Sequence, residues 1–183
     1  MNKLIALLIA SIGLGGCNNS APPTASAPPQ KQFTIVDIKG DVLGMSYADY
    51  KKKHPGDCSD YLGKNLCYTA NATYADLPAT RSAGFFHGQL LDVTYAVRHT
   101  LNAETAKQDG AELVKAVESK FGGPKYDGET KIWDNGTISI MLADSQTNNE
   151  TYVTFTLNKL QEQEQAEGEK AKEAHQAAAK KDM

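Results

Sequence analysis

The sequence predicts an α+β domain: an antiparallel sheet with two helices packed on one face, in the order β-α-βββ-α-βββ. Three patterns carry that expectation. Between Gln89 and His99, Leu91, Val93, Tyr95 and Val97 alternate with Asp92, Thr94 and Arg98, the period-two pattern of a strand with one wet face. Between Asn102 and Phe121, Ala106, Gly110, Leu113, Val114, Val117 and Phe121 recur at helical spacing. From Lys131 to Ile140, two strand-like runs flank Asn135-Gly136, a dipeptide suited to the two positive φ values of a type I′ turn.

Each element has a local reason. Phe33 to Ile38 is β-branched and stops at Lys39-Gly40-Asp41, which predicts a short strand. Ser46 and Asp49 have capping-box spacing, with Met45 and Tyr50 placed as a hydrophobic staple, so a helix starts after Ser46. It ends near His54, because Pro55-Gly56 cannot continue it. Tyr68 to Tyr74 alternates as a strand, and Ser82 to Phe86 with Gln89 to His99 form a hairpin across His87-Gly88. Asn102 caps the second helix, Glu104 suits its first turn, and Gly122-Gly123-Pro124 ends it. Thr151 to Leu157 supplies a last strand, with Val153, Phe155 and Leu157 on one face. A helix followed by three strands thus occurs twice, which hints at a duplicated unit, although the halves show no evident sequence identity. Two helices on one side of the sheet would bury both apolar stripes.

The 183 residues divide into four parts: a leader at 1–16, a linker at 17–32, the domain at 33–160 and a charged tail at 161–183. The leader carries one positive charge at Lys3 and then an uncharged apolar run from Leu4 to Leu14. That length fits a secretory signal and is too short for a permanent transmembrane helix, which needs about 20 apolar residues. The run ends in Leu14-Gly15-Gly16-Cys17, which resembles the lipobox of bacterial lipoproteins. The resemblance implies diacylglycerol on the Cys17 sulfur, cleavage before Cys17 and fatty acyl chains of the palmitate type. Asn18 stands where an Asp often retains such proteins at the inner membrane, so the resemblance favours the outer membrane, with the domain facing the periplasm. Asn18 to Gln32 is rich in Pro, Ala and Ser, a semi-rigid spacer reaching about 45 Å at about 3.1 Å per residue.

Charge excludes one class of partner. There are 19 Lys and Arg against 22 Asp and Glu, a net −3, and loss of Lys3 with the leader would take this to about −4. Arg81 and Arg98 are the only arginines. That balance lacks the basic face of a nucleic-acid binder. The basic knot Lys51-Lys52-Lys53-His54 reads as a solvated helix end, with contact to an anionic lipid or glycan as the alternative. With Cys17 assigned to lipid, Cys58 and Cys67 remain as an even pair in an oxidising compartment and predict a structural disulfide. Closing a loop of this length would stabilise the fold by about 2.5–3 kcal/mol. The tail is Gln, Glu, Ala and Lys with almost no large apolar side chain, and reads as a solvated helix or a disordered segment.

Leu43-Gly44-Met45-Ser46 leading into a helix, and Phe121-Gly122-Gly123-Pro124 followed by Trp133 on a strand, resemble two kinds of small envelope module. These are the outer-membrane assembly accessory lipoproteins and the β-lactamase-inhibitor-protein-like fold. The resemblance implies protein binding rather than catalysis.

Few residues are placed for catalytic or metal chemistry. No Gly-x-Ser-x-Gly or phosphate loop is present. His54, Asp57 and Asp60 lie close in sequence and could ligate a metal, but they lack rigid ligand spacing, so neither a metal nor a cofactor is predicted. Asp92, Thr94 and Arg98, on the polar side of one strand, are the candidate ligand face. Trp133 with Tyr68, Tyr74, Tyr95 and Tyr152 could form an aromatic patch or pack in the core. The function expected is that of a non-catalytic, lipid-anchored envelope protein bound to the membrane and to a protein partner. The alternatives are an inhibitor or immunity protein against a periplasmic hydrolase, and a small envelope enzyme or metal carrier.

Overall fold

The computed structural model describes residues 37–61, 64–99, 102–145 and 149–181. The leader, Cys17, the linker and most of the strand expected at 33–38 lie outside the described residues. A two-stranded ribbon, β1 (Asp37–Ile38) and β2 (Asp41–Val42), precedes α1 (Tyr47–Lys53). Four strands follow: β3 (Cys58–Tyr61), β4 (Lys64–Tyr74), β5 (Leu77–Phe86) and β6 (Gln89–Arg98). Then come α2 (Ala103–Phe121) and four more strands: β7 (Lys125–Asp127), β8 (Thr130–Asp134), β9 (Ile138–Asp144) and β10 (Glu150–Leu157). α3 (Asn158–Lys181) is last.

The main sheet is antiparallel, in the order β3-β4-β5-β6-β10-β9-β8-β7. It consists of two four-stranded meanders, each preceded by a helix, that meet where β6 pairs with β10. The expected β-α-βββ-α-βββ order is therefore corrected to ββ-α-ββββ-α-ββββ-α. The strands it lacked, β2, β3 and β7, are short, and β3 and β7 form the two edges of the sheet. None has alternation of its own; each exists because a neighbour offers hydrogen bonds to it. The duplication is real at the level of topology and leaves a local trace in sequence. Val93-Thr94-Tyr95 in β6 matches Val153-Thr154-Phe155 in β10, and Thr94 lies directly opposite Thr154. Their hydroxyls are 3.0 Å apart, at the seam where the two meanders pair.

One face of the sheet carries the core. Ala83, Val93, Phe155, Ile140 and Trp133 form one row across β5, β6, β10, β9 and β8. Tyr50 of α1 and Leu113, Val117 and Phe121 of α2 are buried in the same cluster. Both helix starts follow the capping chemistry. Ser46 Oγ accepts from the Asp49 N–H at 3.1 Å, and Asn102 Oδ1 accepts from the Glu104 N–H at 2.9 Å. Two details of register differ from expectation. A bulge between Gly84 and Phe85 turns Leu90 into the core, and Leu91, expected beside Val93, is buried outside that cluster. Asn135 does not have positive φ; Gly136 alone does, at 83°. Asn135 Oδ1 instead accepts from the N–H groups of Thr137 and Ile138, an Asx turn in a three-residue loop.

Cys58 and Cys67 face each other across β3 and β4, with their sulfurs at disulfide distance, 2.05 Å. At the far end of β4 the chain turns through Ala75 (φ 50°) and Asp76 (φ 64°), both left-handed without being glycine. Left-handed backbone suits Asn and Gly in this kind of hairpin turn and is unfavourable for Ala. The pair Ala75→Asn with Asp76→Gly is expected to raise unfolding free energy by about 1–2 kcal/mol. Urea denaturation of the two proteins checks this.

Candidate functional site

The helices α1 and α2 leave the other face of the sheet uncovered, except at its Asp92 end, where α3 approaches, and cross-strand register reads out its composition. One row runs Tyr68, Ser82, Thr94, Thr154, Met141, Ile132 from β4 to β8. The next runs Thr80, Ala96, Tyr152, Ala143 from β5 to β9. Apart from Tyr152, the centre is thus built of small side chains, and larger apolar side chains stand on both flanks. Leu66 and Tyr68 on β4 are 44% and 53% exposed, and Met141 on β9 is 40% exposed. Four strand steps separate β4 from β9, about 19 Å at about 4.8 Å per step. These side chains form two separate exposed spots on one face, while Tyr126, 67% exposed, stands on the helix side of the sheet.

The three residues singled out on β6 all belong to this face, but they are not equally available. Arg98 pairs with Glu150 at 3.3 Å, and the Thr94 hydroxyl is bonded to Thr154. Asp92 lies over Gly84, where a Cβ would come within 2.5 Å of Asp92 Oδ2, so any larger residue there must displace the Asp92 carboxylate. At the β5–β6 turn, His87 pairs with Glu167 of α3 at 3.0 Å. α3 itself is buried only at its start, by Leu160, and is exposed from Gln161 onward.

Burial first, and the charge of Glu164 second, push the Asp92 carboxyl up to about 6 from its ordinary 3.8. The folded state therefore binds a proton that the unfolded chain releases above about pH 4. The stability that this proton contributes is whole below that pH and is lost as pH rises through about 6. Asp92→Asn is expected to raise stability at pH 7.5 by about 1–2 kcal/mol, a value reduced for partial solvent screening. At pH 4 it should change little. Urea titrations at the two pH values separate these outcomes.

The structure also assembles polar clusters on the helix side that sequence reasoning missed. Asp41 of β2 is completely buried; both of its oxygens lie near His54 Nε2, at 2.9 and 3.1 Å, and it forms an ion pair with Arg81 of β5. The Arg81 guanidinium lies over the rings of Tyr50 and Tyr95. Burial raises the Tyr50 hydroxyl to about 12 and moves Tyr95 in the same direction. Two of the three residues considered as metal ligands, His54 and Asp57, have other partners. His54 turns to Asp41, Asp57 accepts from Thr69 Oγ1 at 2.7 Å, and the Asp60 side chain lies outside the described ones. Among the described residues no three His, Cys, Asp or Glu side chains are grouped to hold a metal.

A second cluster links α2 to the sheet. His99 Nδ1 is 3.4 Å from Asp109, His99 Nε2 is 2.7 Å from Thr151 Oγ1, and that hydroxyl donates to Asp144 at 2.5 Å. The order Asp-His-Thr resembles a nucleophilic relay, but Thr151 is 1% exposed and gives its only hydroxyl proton to Asp144. His99 Nε2 is then the donor to Thr151, and the chain of bonds acts as a clasp. The aromatic patch divides between the two faces. Trp133 is fully buried and donates to the Gly122 carbonyl at 2.7 Å, and Tyr74 packs on Tyr95 at 4.9 Å. Tyr68 and Tyr152 lie on the open face. The sequence carried a signal for the burial of Arg81, which sits between Ala79 and Ala83 in the apolar register of its strand, but none for its partner Asp41.

No family model, curated protein or solved structure matches the chain.

Proposed function

We propose that this chain is a lipid-anchored protein of a bacterial envelope that binds a protein partner through the open face of its sheet. Cys17 would hold it to the membrane, and the linker would lift the domain clear of the head groups. One observation carries the binding role: Leu66, Tyr68 and Met141 remain exposed on a single face, on either side of a flat centre of Ser82, Thr94 and Thr154. Interfaces gain most of their energy from a few aromatic and apolar anchors, and rows of small residues let a partner approach closely between them.

Two measurements test the two parts. Intact-mass analysis of the mature protein should show an acylated Cys17 at the N-terminus; a free thiol there refutes the anchor. For the face, Tyr68→Asp and Met141→Asp are made together in the full chain. Their exposure predicts a small change in stability, within about 1 kcal/mol. The expected result is a normally folded, normally located protein that no longer co-purifies with its envelope partner. Retention of the partner by the double variant contradicts the assignment of the face.

A further inference from the structure

We infer that the groove between α2 and the β8–β10 part of the sheet is a second site, which binds a small amphipathic anion: an organic acid with an aliphatic or aromatic body. The groove is open to solvent along one side and offers about 640 Å³, within the roughly 300–1,000 Å³ typical of small-molecule sites. Its apolar walls are Ala106, Ala111, Val114 and Leu142. It exists because α2 packs tightly only in its second half. Leu113, Val117 and Phe121 are buried, whereas the first half presents Ala106 and Gly110, which do not fill the space above β9 and β10. Gly110 is not required by the backbone: its φ is ordinary for a helix, and a Cβ there would meet nothing within 4 Å. Glycine inside a helix is unfavourable relative to alanine, so the chain accepts that cost where the groove lies.

Charge selects the ligand. Lys107 and Lys115 from α2 and Lys131 from β8 line the groove, and none makes an ion pair or hydrogen bond among the described residues. Lys131 is half-buried and lies on the core face of the sheet, opposite Leu142. Of the two acids that line the groove, Glu150 is offset by Arg98 and Asp144 alone keeps an uncompensated charge, so the three lysines outnumber it. Asp144 accepts from Thr151, and Glu150 holds Arg98 and the Tyr152 hydroxyl. Three uncommitted cations beside apolar walls match one anionic head on an apolar body.

The test uses the chain from residue 17 onward carrying Cys17→Ser, labelled with ¹⁵N, and decanoate as the probe. Saturable shifts of groove amides such as Gly110, Ala111 and Ser145 are expected with decanoate, and not with decyltrimethylammonium. Lys115→Met with Lys131→Met should weaken binding at least tenfold. Gly110→Phe, whose side chain has open space to enter, should abolish it, while Gly110→Ala should bind normally and melt at a higher temperature. The inference is overturned if decanoate causes no shifts, if the cation binds as well, or if Gly110→Phe leaves the affinity unchanged. Shifts confined to the open face around Tyr68 and Met141 would overturn it too, without touching the function proposed for that face.

Discussion

Replacing Asp41 with alanine is expected to lower the unfolding free energy by about 3–5 kcal/mol, the usual cost of leaving one charge of a buried pair alone. Asp41 is wholly buried, and its partner Arg81 is 7% exposed, so neither charge can recover water when the other is removed. The loss has a structural location. Asp41 joins the β1–β2 ribbon to β5 through Arg81 and to the end of α1 through His54, so three separate pieces of chain meet on one carboxylate. Arg81→Met alone should also be costly, because it strands Asp41. The two changes together should recover most of the loss, since apolar replacement of both members of a buried pair is often close to neutral. Urea unfolding of the two single variants and the double variant gives the coupling energy directly.

Trp133→Ala is expected to cost about 3–5 kcal/mol, as for other fully buried aromatic side chains. Two effects add. The indole fills the row of core residues between Ile140 and α2, and its N–H satisfies the carbonyl of Gly122, where φ of 83° ends that helix. Trp133→Phe separates them: it keeps most of the volume and removes the donor, for a smaller loss of about 1–3 kcal/mol. Denaturant unfolding followed by circular dichroism measures both, because the natural fluorophore is lost in each.

What was legible in the sequence follows from how local each cause is. α1 and α2 were readable because their caps are side-chain chemistry: Ser46 with Asp49, and Asn102 with Glu104. β6 was readable because its alternation is strict from Val93 to Val97. The edge strands were not, because β3 and β7 are polar and short and take their form from a neighbour's backbone. The hairpin at Ala75-Asp76 was hidden because neither residue signals a left-handed turn. Of the candidate face, Asp92, Thr94 and Arg98 share one side of β6, as their alternation in the sequence indicates. The flanks that give it apolar character, Leu66, Tyr68 and Met141, come from strands far apart in sequence, and only the pairing across β6 and β10 puts them on one surface. The buried clusters around Asp41 and His99 depend on contacts between distant segments, 40 residues for Asp41 with Arg81 and 52 for His99 with Thr151. No spacing rule reaches that far.

Site-specific photo-crosslinking in living cells tests the open face most directly. A photoreactive phenylalanine analogue is placed singly at Tyr68, Met141 or Thr80 on that face, and at Lys120 on the helix side as a control. One discrete adduct of the same mass is expected from the open-face positions and none from Lys120. Adducts from Lys120 alone, or none from any position in a correctly anchored protein, would contradict the assignment of the open face.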